Sequence, residues 1–145
     1  MQLSKNFKLS EFEASATGSR LGIVNKIPAE YVPNVQALVD HVLQPLADAT
    51  GWTTEISSGY RNPTLNKAVG GVPSSQHLVA KAADTKHRAK QRGQIPRVEV
   101  ARKVLELGLP FDQMILYPTF VHISYNGGRN RRQVLYNSSY KGARV

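Results

Sequence analysis

The sequence predicts an α+β fold, a small and mainly antiparallel sheet with helices packed on it. Two observations carry this. Segments with apolar residues at three- and four-residue spacing are uneven in length and do not alternate regularly with strands, which argues against a parallel βαβ repeat. Two apolar runs, QMILY (113–117) and FVHISY (120–125), are separated by Pro118-Thr119, the pattern of an antiparallel hairpin. No repeat, low-complexity tract or long linker divides the 145 residues, so residues 1–145 are expected to form one domain. A chain of that length buries roughly 70% of its unfolded surface and needs no disulfide to fold.

The elements follow in order. Ser10 is placed to cap a short helix over EFEASA, ended by Gly18. Residues 33–51 predict a longer helix, with Val35, Leu38, Val39, Val42, Leu43 and Leu46 on one face and Pro45 as the site of a kink. His41 falls well off that stripe and reads as solvated. TTEISSG (53–59) reads as a strand leaving into a loop, and PTLNKAVGG (63–71) as a helix begun by Pro63 and stopped by Gly70-Gly71. KAADTKH (81–87) reads as a short strand. Residues 96–108 give another helix, with Pro96 in front and Gly108 near its end. After the hairpin, RRQVLY (131–136) reads as an edge strand.

Composition narrows the chemistry. There is no cysteine, which excludes disulfide scaffolds, thiolate zinc sites and thiol nucleophiles, so a metal here must use His and Asp or Glu. Nineteen Lys and Arg against ten Asp and Glu give a formal charge of +9, which favours an anionic partner such as a nucleic acid, an anionic lipid or a cell-wall polymer. The basic runs, residues 86–97 and Arg129, Arg131 and Arg132, read equally as solvated loops. No helix-turn-helix, zinc-knuckle or aromatic RNA-binding motif accompanies them, so no specific nucleic-acid partner is expected. The N-terminal residues hold no apolar run of signal-peptide length and no membrane span follows, so synthesis in the cytoplasm is expected.

SSQHLVAKAADT (74–85) brings a hydroxyl, an imidazole and a carboxylate together as Ser75, His77 and Asp84. A catalytic zinc site without thiolates takes three His or carboxylate ligands and leaves a fourth position open, and His77, Asp84 and His122 can supply them. Singly, such residues more commonly serve as hydrogen-bonding groups. The hairpin offers a test. Pro-Thr suits the primed two-residue turns poorly, so a four-residue loop is expected, with Ile115 opposite His122. Tyr117 then neighbours the ligand set and Asp112 points to the other face, whereas a three-residue loop would invert the facing.

SGYRNPTLNKAVGG, SSQHLVAKAAD, FDQMILY and FVHISY together resemble the zinc D-Ala-D-Ala carboxypeptidase-like family of peptidoglycan peptidases, which includes vancomycin-resistance dipeptidases and phage endolysins. The resemblance spans residues 9–136 and implies that family's hedgehog-like fold. It implies one zinc ion held by His77, Asp84 and His122, with Arg61 holding the substrate or a developing oxyanion. It places Ser75 beside the substrate or metal, where capping a local turn is an equal reading. The reaction implied is zinc-assisted hydrolysis of an amide in peptidoglycan peptides, by a carboxypeptidase or endopeptidase. A monomer acting at the bacterial cell wall, after release or as part of a virion, is expected.

Three positions depart from the pattern. Relatives carry a carboxylate base three residues before the last His or at the end of the preceding strand, places held here by Thr119 and Tyr117. Tyr117 and Asp112 are the substitutes nearest in sequence, and Glu55 or Glu99 could approach in three dimensions. Ala80 stands where Gly is frequent in the family, which tightens the loop between two ligands. The missing base motivates an alternative, a zinc-bearing wall-binding or virion structural protein without turnover.

Overall fold

The computed structural model describes residues 1–145. The N-terminal helix divides in two. Helix α1 (Leu9–Glu13) starts before Ser10, with Glu11 Oε1 accepting from the Lys8 N–H at 2.8 Å, and ends at extended Ala14. Ser15 then caps α2 (Ala16–Leu21) by accepting from the Gly18 N–H at 3.0 Å. Ser10 is therefore an interior residue and Gly18 no stop; Gly22, at φ 70°, closes α2 in the left-handed region where glycine carries no Cβ penalty.

The long amphipathic segment runs as α3 (Val32–Leu38), a π-turn (Val39–Leu43) and α4 (Gln44–Thr50). Pro45 explains the interruption. It lacks an N–H and its ring clashes with a carbonyl one turn back, and the wider π-turn just before it relieves that clash. All six stripe residues named from sequence are buried. His41 is exposed, as expected, and stacks on Tyr125 with ring centres 4.8 Å apart.

Strands β1 (Thr53–Ser58), β2 (Ala82–Ala89), β3 (Gly93–Gln94), β4 (Gln113–Leu116), β5 (Val121–Ser124) and β6 (Gln133–Tyr136) form one sheet in the order β1-β2-β5-β4-β6, with β3 also on β2. Every pairing is antiparallel except β4 with β6, which is parallel and puts β6 at the edge. The α+β prediction therefore holds. Strand β2 is longer than its sequence signal, because the basic stretch read as a solvated loop continues it through Ala89 and returns as β3. Arg92 in that turn is tied to Glu99 at 2.6 and 2.7 Å.

Helices α5 (Pro63–Ala68) and α6 (Arg97–Glu106) fall where Pro63 and Pro96 announce them, α5 capped by Asn62 accepting from the Leu65 N–H. On β4, Met114 and Leu116 are buried in a 24-residue core with Phe12, Leu38, Leu46, Val104, Phe111 and Ile123, while Gln113 and Ile115 face the other way. That second face carries the chemistry. No helix is long and apolar enough to cross a membrane.

Candidate metal centre

The hairpin has the expected register. Ile115 pairs with His122, and Tyr117 donates its N–H to the Phe120 carbonyl at 3.0 Å across Pro118-Thr119. On the other side of β5, His122 lies directly opposite Asp84 of β2. Adjacent partners across an antiparallel pair point to the same face, so two side chains distant in sequence meet without any loop reaching for them.

His77 arrives differently. Ser75 accepts from the His77 N–H at 3.2 Å and starts a 3₁₀ turn (Gln76–Val79), which Ala80 ends in the left-handed region at φ 60°. A non-glycine residue there costs about 1 kcal/mol, so the frequent Gly of the family meets a conformation that this chain keeps despite its methyl. The turn swings His77 over the sheet. His77 Nε2 lies 3.2 Å from Asp84 Oδ1 and 3.2 Å from His122 Nδ1, and His122 Nδ1 lies 3.0 Å from Asp84 Oδ1. All three residues are buried.

The hydrogen bonding of His77 shows why this cluster suits a cation. Its Nδ1 is 2.6 Å from the buried Gly59 carbonyl, which can only accept, so Nδ1 carries the proton and neutral His77 presents a lone pair at Nε2. That lone pair faces a carboxylate oxygen at 3.2 Å, and two acceptors so placed need a proton or a metal ion between them. A carbonyl behind a ligating imidazole also fixes its tautomer and orientation. Burial pushes the Asp84 carboxyl upward, but the imidazoles of His122 and His77 in contact with it outweigh that and hold it well below the usual range. Burial pulls the His122 imidazole down. Ionised Asp and neutral His are the forms that bind metals.

Arg61 stands beside the cluster. Its Nη2 is 3.4 Å from Asp84 Oδ2, Nη1 donates to Asn66 Oδ1 at 3.2 Å and Nε to Ser58 Oγ at 3.2 Å. Asn66, itself buried, donates to the Val72 carbonyl. The cluster forms the floor of a cleft of about 630 Å³, walled by 69–76 on one side and by Ile115, Tyr117 and Phe120 on the other.

The cleft corrects the expectations for its acids. Asp112 was expected on the opposite face, yet it lines the cleft, because it precedes β4 and the alternation of the strand does not govern it. Both its oxygens are taken. Oδ1 accepts from the Arg131 backbone N–H at 3.0 Å and from Nε at 2.9 Å, and Oδ2 from Arg131 Nη2 and Gln76 Nε2, each at 2.9 Å. The bonds from Arg131 lower its pKa to about 2. Glu55 is exposed on β1 opposite Lys86, and Glu99 is paired with Arg92; neither lines the cleft. Tyr117 does line it, stacked on Phe120 at 4.4 Å, and burial and the Asp84 charge push its phenol pKa up.

Three contributors escaped sequence reasoning. The Gly59 carbonyl orients His77, Asn66 steadies Arg61, and Gln76 ties the turn that carries His77 to Asp112. Gly59 and Asn66 lie within the SGYRNPTLNKAVGG segment that carried the resemblance, but only the fold shows which atoms they offer.

No curated protein sequence matches the chain. The Peptidase M15 family profile matches residues 5–124, from before α1 to the end of β5, and so takes in every residue of the cluster and Arg61. The chain belongs to the Peptidase M15 family of zinc metallopeptidases.

Proposed function

We propose that the protein is a zinc peptidase that hydrolyses an amide bond in peptidoglycan stem peptides or cross-links, as a monomeric lysin acting at the bacterial cell wall. The observation that carries the proposal is the convergence of His77, Asp84 and His122 on one point of a cleft floor with Arg61 beside them. In this reading the three side chains hold one Zn²⁺, which supplies Lewis acidity toward the scissile carbonyl and a bound water acidic enough to ionise near neutral pH. Arg61, braced by Ser58, Asn66 and Asp84, presents its remaining donors to a peptide oxygen, where a fixed positive charge favours the charge that develops in the reaction. The Ser75 hydroxyl accepts from the His77 N–H and keeps its own hydrogen to donate to the substrate backbone. Ile115, Phe120, Val69 and Val72 give the cleft apolar patches suited to small methyl side chains.

Proton transfer is where this chain differs. The cleft holds two carboxylates, one in the ligand set and one saturated by Arg131 and Gln76. Tyr117 stays protonated at neutral pH, so its phenol donates a hydrogen bond to the leaving amine rather than abstracting a proton. Turnover is accordingly slow beside relatives with a carboxylate there. The engagement of Asp112 also favours a second reading, a zinc-bearing wall-peptide binder without turnover that serves at the wall or in a virion. The basic surface suits anionic wall polymers in both readings.

Incubating zinc-loaded protein with purified peptidoglycan and defined stem peptides, followed by mass spectrometry for new amino termini, separates the two. Cleavage by wild type that is lost in His122→Ala supports the peptidase. Peptide binding with bound zinc and no new termini assigns the binder, and cleavage retained by the His122 variant refutes the ligand set.

A further inference from the structure

We propose that Arg131, in the lining of the cleft, is a substrate-carboxylate subsite aimed at a carboxylate two to three residues from the bond that is cut. In a stem peptide that group is the α-carboxylate of the γ-linked D-Glu. The inference rests on the cleft being a peptide site, as argued above.

The geometry is that of a held fork with one edge left open. Arg131 uses Nε and Nη2 on Asp112, while Nη1 makes no hydrogen bond and the side chain is 57% exposed at the cleft wall. Asp112 beneath it is fully buried, so the guanidinium is fixed from behind and faces the cleft with its remaining donors. A guanidinium matches a carboxylate with two parallel N–H bonds, and preorganisation lowers the entropy lost on binding. Asp112 acts here as a positioning residue. Gln76, next in sequence to the ligand His77, donates to the same carboxylate and ties the fork to the turn that carries the ligand.

Spacing selects the carboxylate. Ile115 lies opposite the proposed ligand His122, and Asp112 is three residues earlier, just before β4, about 10 Å away at the rise of an extended chain. An extended peptide covers that distance in about three residues. A terminal carboxylate one residue beyond the scissile bond falls short of Arg131, whereas the α-carboxylate of D-Glu, on the other side of the bond in a D-Ala-terminated stem, does not. Charge agrees with this assignment. Arg61 and Arg131 balance Asp84 and Asp112 in the cleft lining, so a bound divalent ion leaves an excess of two positive charges for the carboxylates of the peptide.

The test titrates zinc-loaded protein with L-Ala-γ-D-Glu-L-Lys-D-Ala-D-Ala, with its D-isoglutamine form, and with its C-terminal amide. Binding is followed by NMR and peptide integrity by mass spectrometry. Wild type is expected to bind the isoglutamine peptide about 10- to 100-fold more weakly than the parent, and the terminal amide nearly as well as the parent. Arg131→Gln is expected to lose that discrimination with its zinc content unchanged, and Arg131→Lys to keep only part of it. Equal wild-type affinity for parent and isoglutamine peptides, or discrimination retained in Arg131→Gln, overturns the subsite while peptide binding stands. No binding of any of the three by wild type overturns both this inference and the proposed function. Should Arg131→Gln fail to fold, the wild-type comparison alone decides.

Discussion

Asp112→Asn isolates the ion pair at the cleft wall. The Asp112 side chain is fully buried and its pKa is about 2 against an ordinary 3.8. That gap corresponds to about 2.4 kcal/mol at neutral pH. Arg131 is more than half exposed, so water screens its share, and the expected pH-dependent loss in the Asn variant is about 1–2 kcal/mol. The sign follows from a depressed folded-state pKa: the contribution is complete above about pH 4 and disappears as pH falls through about 2. At pH 3 roughly half of it survives. Urea unfolding of metal-free wild type and variant at pH 7 and pH 3 measures the difference, in which other titrating groups cancel. A stability gap that stays constant between the two pH values would show that the carboxylate charge is not what holds Arg131, and would refute the reasoning.

Other outcomes follow from the site. Gly71→Ala is expected to destabilise by about 1–3 kcal/mol, because its Cβ would meet Asn66 Oδ1 at 2.1 Å and Arg61 Nη1 at 3.0 Å; a thermal shift under 1 °C in the variant would contradict that packing. Tyr117→Phe keeps the stack on Phe120 and is expected to lower kcat about tenfold, while Tyr117→Glu, which restores a carboxylate, raises it about 100-fold; a Glu variant with full zinc and no gain argues against a missing base. Chelation of the zinc-loaded protein is expected to lower Tm by about 10 °C where free zinc had exceeded Kd by about 1,000-fold, and His122→Ala should show no zinc-dependent Tm at all.

Sequence disclosed the site better than its surroundings. His77, Asp84 and His122, which the fold brings together, could be picked out as candidates because few residue types bind zinc and no cysteine competed for the role. The Ile115–His122 register was readable because Pro118-Thr119 restricts the turn, and strand alternation carried the facing to Gln113. It failed at Asp112, one residue before β4, where a backbone outside the strand lets Arg131 draw the carboxylate into the cleft. Ser10 was misread for a related reason. A cap is decided by which hydrogen bond wins locally, and Glu11 satisfies the Lys8 N–H one turn earlier. The parallel β4–β6 pairing had no local signal, since orientation depends on the path of the chain after Ser124.

The placement of Asp84 and His122 opposite one another on β2 and β5 has a kinetic consequence. In the unfolded chain His77 and Asp84 are near neighbours, but His122 is 38 residues beyond Asp84, and its imidazole joins them only when two central strands have zipped together. A long loop must close before the third donor arrives, so metal cannot nucleate this fold as it does a zinc finger. Zinc bound as proposed would capture a sheet already assembled. It would slow the escape of the finished structure far more than it hastened its arrival.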